Sequence, residues 1–250
     1  MDERTAIVTG ATKGIGRATA LMLASRGYWV VAVGRDETEG LRLQSELEAA
    51  AGGVFISADL SHEGAPAQIA QATLAATGRI DVVVNNAGVN LPGAVADVTA
   101  EVLDAVYATN LRAAVLLSGA AVRQMKKQSG GVIVNVSSEA GVLGFPGQVA
   151  YNVSKGGLNM LTKSIAAECT SDGIRAVTVS PGTTATPLVE KLIADAADPD
   201  AMSAALEDRP AGRLGRPEEI AEVICFVASD AAQYLTGSEI VIDGGRTSVG

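Results

Sequence analysis

The chain has little with which to build a metal site, a disulfide framework or an aromatic core. Among 250 residues there are two cysteines, one histidine and one tryptophan, and Phe, Trp and Tyr together make up 3%. Cys169 and Cys225 stand in apolar helical contexts without CxxC or Cys/His spacing, so they read as reduced core thiols, and no metal is expected. His62 has no partner in view and reads as a surface residue rather than a general base. Positive charge is also scarce. Lys and Arg number 19 against 28 Asp and Glu, a net charge of -9 that leaves no obvious basic patch for nucleic acid or an anionic membrane, although a local positive pocket could sit inside an acidic surface. No segment approaches about eighteen uninterrupted apolar residues, and MDERTAIVTG lacks a cationic stretch followed by an apolar run. The expectation is a soluble, cytoplasmic protein whose partners are small and neutral. Linkers, repeats and low-complexity segments are lacking too, which argues for one domain over residues 1–250.

What is abundant is aliphatic: apolar residues make up 48% of the chain. A core of Val, Ile, Leu and Ala suits buried parallel strands covered by Ala-rich helices. Apolar runs at 5–9, 29–33, 54–57, 82–84, 132–136, 176–179 and 239–243 alternate with helical patterns at 38–50, 65–77, 99–128, 148–169 and 218–228. That alternation predicts an α/β fold with ligands outside the carboxyl ends of the strands.

The first run leads into Gly10-Ala11-Thr12-Lys13-Gly14-Ile15-Gly16 and then a helix. Strand, glycine turn and helix form the context in which such a loop binds a dinucleotide. Gly10 permits the tight turn, Gly14 lets the backbone approach a pyrophosphate, and Gly16 lets the helix pack closely with its N-terminus toward the negative charge. Thr12, Lys13 and Ile15 are counted with the same loop. The second strand ends in Gly34-Arg35, where an arginine would pair with a ribose 2′-phosphate and a carboxylate would repel it. Arg35 and Lys13 therefore favour NADP(H). Asp36 and Glu37 follow at once, and either could turn inward to bind the ribose of NAD(H).

Further along, Asp59 with Leu60 stands at a strand end where the carboxylate could accept from an adenine amino group or cap the next turn. Asn85-Asn86-Ala87-Gly88 ends another strand with small residues that would let a cofactor lie close to the backbone. Asn110 interrupts the 99–128 helical pattern, which suggests a local distortion or a polar role. Tyr151 and Lys155, four apart, share a helix face, so the ammonium is expected to pull the phenol's pKa from its usual ~10 towards neutrality. Ser138, thirteen residues upstream, could share a substrate oxygen with that phenol. Pro181, Gly182, Thr184 and Thr186 follow the strand at 176–179 and could hold a nicotinamide carboxamide. Residues 188–210, Ala/Asp-rich and weakly apolar, read as a helical substrate lid.

Together these residues resemble the short-chain dehydrogenase/reductase family over essentially the whole chain. Thr9-Gly-x-x-x-Gly14-x-Gly16, Asn85-Asn-Ala-Gly88, Asn110, Ser138, Tyr151-x-x-x-Lys155, Pro181-Gly182 and Thr186-Pro187 stand in family order and at family spacing. The resemblance implies a doubly wound Rossmann-type parallel sheet of about seven strands with helices on both faces, and usually a homotetramer. It implies hydride transfer between a nicotinamide cofactor and a carbonyl or secondary alcohol. Tyr151 would be the general acid/base, Lys155 would lower its pKa and bind the nicotinamide ribose, Ser138 would hold the substrate oxygen, and Asn110 would support a water-linked proton relay. Two other readings are a non-catalytic dinucleotide sensor, which the intact Ser/Tyr/Lys set disfavours, and a sugar-nucleotide epimerase, for which the C-terminal part is short. One neighbour departs from the pattern. Glu139 puts a carboxylate where a small or apolar residue is expected, and it either faces away or repels anionic substrates.

Overall fold

The computed structural model describes residues 4–128 and 130–249, with the backbone alone for Leu188 and Lys191. The strands are β1 (Thr5–Thr9), β2 (Trp29–Gly34), β3 (Gly53–Ser57), β4 (Val82–Asn85), β5 (Gly131–Val136), β6 (Ile174–Pro181) and β7 (Glu239–Ile242). Among the described residues they form one seven-stranded sheet, parallel throughout, in the order β3-β2-β1-β4-β5-β6-β7. The chain therefore works outward from β1 in one direction, returns at β4 and works outward in the other. That reversal opens a crevice beyond the carboxyl ends of β1 and β4.

Side-chain alternation divides the core in two. Ala6, Val8, Val30, Ala32, Val82 and Val84 face one way, against Leu23 of α1 (Gly14–Ser25) and Leu43 of α2 (Glu37–Glu48). Ile7, Val31, Val83 and Ile133 face the other, against Ile69 of α3 (Ala65–Thr77). β1 and β4 are buried over their whole length, as continuous β-branched runs in a covered sheet should be.

The helical pattern at 99–128 is not one regular helix. It consists of α4 (Ala100–Tyr107), a π-helical turn (Ala108–Arg112) and α5 (Ala113–Met125), with Asn110 inside the turn. By length and composition Ala100–Met125 would pass for a membrane span, but its buried stripe of Val106, Leu117, Ala121 and Met125 belongs to the core. Next come α6 (Val149–Cys169), carrying Tyr151 and Lys155, and the segment read as a lid, which forms α7 (Pro187–Ala194) and α8 (Pro199–Glu207). No described residue of α8 is buried. The last helix, α9 (Pro217–Ala228), packs Ile220 and Ile224 beside α1. β6 runs on to Pro181, past the expected end, because Ser180 and Pro181 still pair with Val241 and Ile242 of β7.

Candidate active site

The glycine loop and the end of β4 are bonded into one piece. Thr9 Oγ1 accepts from the N–H groups of Asn86 and Ala87, both at 3.0 Å. The Asn86 side chain returns the link, donating to Thr9 O at 2.9 Å and Gly10 O at 3.3 Å. Gly10 turns with φ at +64°, and a Cβ there would lie 3.0 Å from Ala87 Cα. A Cβ on Gly16 would lie 2.2 Å from Gly10 O, so helix and loop touch as expected. Gly14 instead faces Thr186, whose Cγ2 would stand 3.0 Å from a Cβ at that position, so the start of α7 reaches over the loop. The amides at the start of α1 receive no side-chain cap from Lys13, and the first turn contains no acidic residue. An uncapped, uncountered helix N-terminus fits the pyrophosphate of a dinucleotide.

The residues expected beside a ribose sort themselves by their bonds. Arg35 and Lys13 are exposed. Asp36 caps α2, its Oδ1 accepting from Glu39 N at 3.2 Å, and Glu37 stands exposed in the first turn of that helix. Asp59 accepts from Ser61 N at 2.9 Å, and its bonds to Ser61 hold its carboxyl below the usual range, with Arg35 adding to the effect. This is the turn-capping arrangement. Leu60 sends its side chain into the core, so only its backbone is free for a ligand. Thr12 is buried and packs on Gly34, while Ile15 lies against the core. Thr184 donates to Gly182 O at 2.9 Å, and Thr186 stands at the cap of α7. His62 is exposed, as expected, and Cys169 and Cys225 are buried free thiols.

Around the end of β5 the other group assembles. Ser138 follows the strand and accepts from Ala140 N at 3.1 Å, and its side chain lowers the pKa of the Tyr151 phenol. Lys155 is buried, and its Nζ donates to Val136 O at 2.9 Å. Nζ also lies 5.5 Å from the centre of the Tyr151 ring. Gly88 leaves room here: a Cβ on it would lie 3.4 Å from Asn110 Oδ1 and 3.6 Å from Lys155 Nζ. Residues 88, 110, 138, 151 and 155 thus meet at one edge of the sheet, beside the glycine loop.

Electrostatically the expectation needs correction. Burial raises the Tyr151 phenol above its ordinary value, the Ser138 hydrogen bond offsets part of that rise, and Glu139 adds to it. Lys155 is itself pushed down by burial to about 8. Its ammonium is aimed at a carbonyl and at the face of the ring, so it does not by itself bring the phenol towards neutrality. Asn110 shows both the distortion and the polar role. Its Nδ2 donates to Val89 O at 2.9 Å and Ser154 Oγ at 3.0 Å, which commits both amide hydrogens to the protein.

Sequence reasoning missed several supporting residues. A buried polar row crosses the sheet: Asn85 donates to Asn135 at 2.8 Å and Ser118 at 3.0 Å, Asn135 donates to Thr162 at 2.8 Å, and Thr178 donates to Thr162 at 2.7 Å. It fastens α5 and α6 to β4, β5 and β6. The polar breaks Asn85, Asn135 and Thr178 in apolar strands were the available signal. Glu139 is buried rather than turned to solvent, and Arg209, which nothing in the sequence singled out, lies against it.

A sheet reversed at β1 and β4, with its glycine loop at the reversal, defines a Rossmann-type fold. Comparison with known proteins narrows the class. A family model described as enoyl-(acyl carrier protein) reductase matches residues 10–247. A 3-oxoacyl-[acyl-carrier-protein] reductase of Thermotoga maritima is 39% identical, covering 98% of each chain. A cis-4-hydroxycyclohexanecarboxylate dehydrogenase of Sinomonas cyclohexanicum is 40% identical over 99% of this chain and 98% of its own. A solved structure described as a short chain dehydrogenase/reductase family protein superposes with a TM-score of 0.88 at 35% identity, covering 100% of both chains. The chain belongs to the short-chain dehydrogenase/reductase family, and it is an oxidoreductase.

Proposed function

We propose that this protein transfers a hydride between NADP(H) and a small ketone or secondary alcohol, with Tyr151 as general acid/base. The observation that carries the reading is the convergence of Ser138, Tyr151 and the buried Lys155 at the carboxyl edge of the sheet, with Lys155 Nζ 5.5 Å from the centre of the Tyr151 ring and the glycine loop alongside. The dinucleotide would rest on Gly10, Thr12, Lys13, Gly14, Ile15 and Gly16. Asp59, the Leu60 backbone, Asn86, Ala87 and Gly88 would flank it, and Pro181, Gly182, Thr184 and Thr186 would take its carboxamide end. When bound it supplies or receives the hydride, and the protein handles the proton.

In the reducing direction Ser138 donates a hydrogen bond to the carbonyl oxygen and Tyr151 gives that oxygen its proton as negative charge develops there. Solvent then returns a proton to the phenolate. Lys155, charged below about pH 8, would bind the nicotinamide ribose, and Asn110 holds the chain around both residues. Arg35 and Lys13, both exposed at the end of β2 and in the glycine loop, are the cations available to a 2′-phosphate, which supports NADP(H) over NAD(H). The apolar loop at 139–148 and the α7–α8 lid suit a cyclic or otherwise apolar substrate, and the Sinomonas relative acts on a ring alcohol. A single domain, a homotetrameric assembly and a cytoplasmic site complete the proposal. Exposed Val115 and Leu116 of α5 with Val153 and Met160 of α6 offer apolar surface for a partner copy. The test is oxidation of NADPH and NADH over a panel of cyclic and linear ketones. Turnover that is lost in Tyr151→Phe supports the reading, and an inert wild-type protein that still binds nucleotide returns the case to a sensor.

A further inference from the structure

Two charged side chains without a part in that reaction meet beside Gly182 and Thr183. Glu139 directly follows Ser138, and its side chain is 8% exposed. Oε1 accepts from the Thr183 hydroxyl at 3.1 Å, and Oε2 lies 3.5 Å from Arg209 Nη1. Arg209 follows α8 and is buried as well, its side chain 4% exposed. Its Nε and Nη2 donate to Leu206 O at 3.0 and 2.7 Å, Nη2 donates again to Thr183 Oγ1 at 2.9 Å, and Nη1 donates to Asp243 O at 3.2 Å as well as to Glu139. A guanidinium has five N–H donors, and every one has an acceptor here. Gly182 makes the space, since a Cβ on it would lie 2.6 Å from Arg209 Nη1.

The arrangement is asymmetric toward a ligand. Arg209 has no donor left to offer an anion, whereas Glu139 brings a carboxylate within one residue of Ser138 and acts on the Tyr151 phenol. The other charges nearby are turned aside: Lys155 on α6 is held by Val136 O, and the Asp243 carboxylate accepts from the N–H groups of Gly245 and Thr247. We infer that Glu139, held in place by Arg209, is a specificity-determining residue that excludes anionic substrates from the corner beside Ser138 and selects neutral alcohols or ketones. The inference rests on the proposed function for the statement that a substrate oxygen sits at Ser138. The carboxylate-bearing ring alcohol in the name of the Sinomonas relative supplies an anionic probe for it.

The test measures binding, so that it does not depend on turnover. 4-Hydroxycyclohexanecarboxylate and cyclohexanol are titrated calorimetrically into wild type, Glu139→Gln and the double variant Glu139→Gln/Arg209→Met, each first shown to be folded by thermal unfolding. Glu139→Gln removes the repulsion and leaves Arg209 charged, so the carboxylate should bind about ten-fold tighter than to wild type while cyclohexanol changes little. The double variant, neutral at both positions, should fall between. Equal carboxylate affinity in wild type and Glu139→Gln overturns the inference, and so does equal affinity in wild type and the double variant, because a gain confined to Glu139→Gln then comes from the unpaired Arg209 charge. Ketone turnover reads the other question: an inert wild type with the ten-fold change intact would overturn the proposed reaction and leave the selectivity standing.

Discussion

Asn110 grips Val89 at both of its backbone groups, its Oδ1 accepting from Val89 N at 2.8 Å and its Nδ2 donating to Val89 O at 2.9 Å. The second Nδ2 hydrogen goes to Ser154 Oγ at 3.0 Å, and that hydroxyl donates to Tyr151 O at 2.8 Å. One amide in a distorted turn therefore joins the segment after β4 to the turn of α6 that carries Tyr151.

Asn110→Leu should break all three bonds and strand the Val89 backbone groups. Leaving buried polar groups unpaired costs about 1–3 kcal/mol each, so a loss of roughly 2–4 kcal/mol is expected in urea unfolding. Turnover should fall with it, because Tyr151 loses its tether.

Tyr151→Phe keeps the ring and removes the proton. Turnover should drop by about 10²–10⁴, the usual contribution of a positioned general acid. Nucleotide affinity, read by fluorescence quenching, should stay within a factor of about three, because the glycine loop is untouched.

Lys155 carries a pH signature in stability. Its pKa is lowered from 10.5 to about 8 on folding, so between these values the unfolded chain holds more protons. Stability must then rise as pH climbs from about 8 to 10.5, and below about 8 the buried charge exerts its full penalty. Lys155→Met should remove this rise, on the order of 3 kcal/mol, from the difference between the two unfolding profiles. Comparing the variants cancels the opposing contributions of Tyr151 and Cys225, whose raised pKa values lower stability as pH rises.

Gly16 and Gly119 make a contrasting pair. A Cβ at Gly16 would sit 2.2 Å from Gly10 O and 2.5 Å from Asn86 Nδ2, contacts that only a shift of the backbone relieves. Gly16→Ala should cost about 2–4 kcal/mol and weaken nucleotide binding. At Gly119, inside α5, the nearest atom is 3.8 Å away, so Gly119→Ala should stabilise by about 0.5–1 kcal/mol in thermal unfolding.

Arg35→Ala tests the cofactor. The KM for NADPH should rise about ten-fold or more while that for NADH changes little. Equal effects on both would mean that Arg35 does not meet a 2′-phosphate.

The fold and the core of the candidate site were readable because their signals are local. Valine runs state where covered strands lie, Gly10 and Gly16 state where the backbone turns and where it is crowded, and the four-residue spacing puts Tyr151 and Lys155 on one face of a helix. The spacing could not give direction. Whether the Lys155 ammonium points at the phenol or at Val136 O, and whether burial outweighs the Ser138 hydrogen bond, depends on groups from three separate segments. Asn110 was readable as an irregularity, but its partner Val89 lies 21 residues away in the loop after β4.

Glu139 marks the boundary most clearly. From the sequence alone its carboxylate was a departure from the pattern with two opposite readings, because nothing within the chain's local order tells a buried acid from an exposed one. Arg209 lies 70 residues further on, after the lid, and only the folding of β5, β6 and β7 side by side brings its guanidinium under Gly182 to meet that carboxylate. Amino-acid order determined the strands, the glycine loop and the candidate site residues, since each is read from a short stretch of chain. Tertiary structure decided the charges around them, since a charge takes its meaning from what is packed against it.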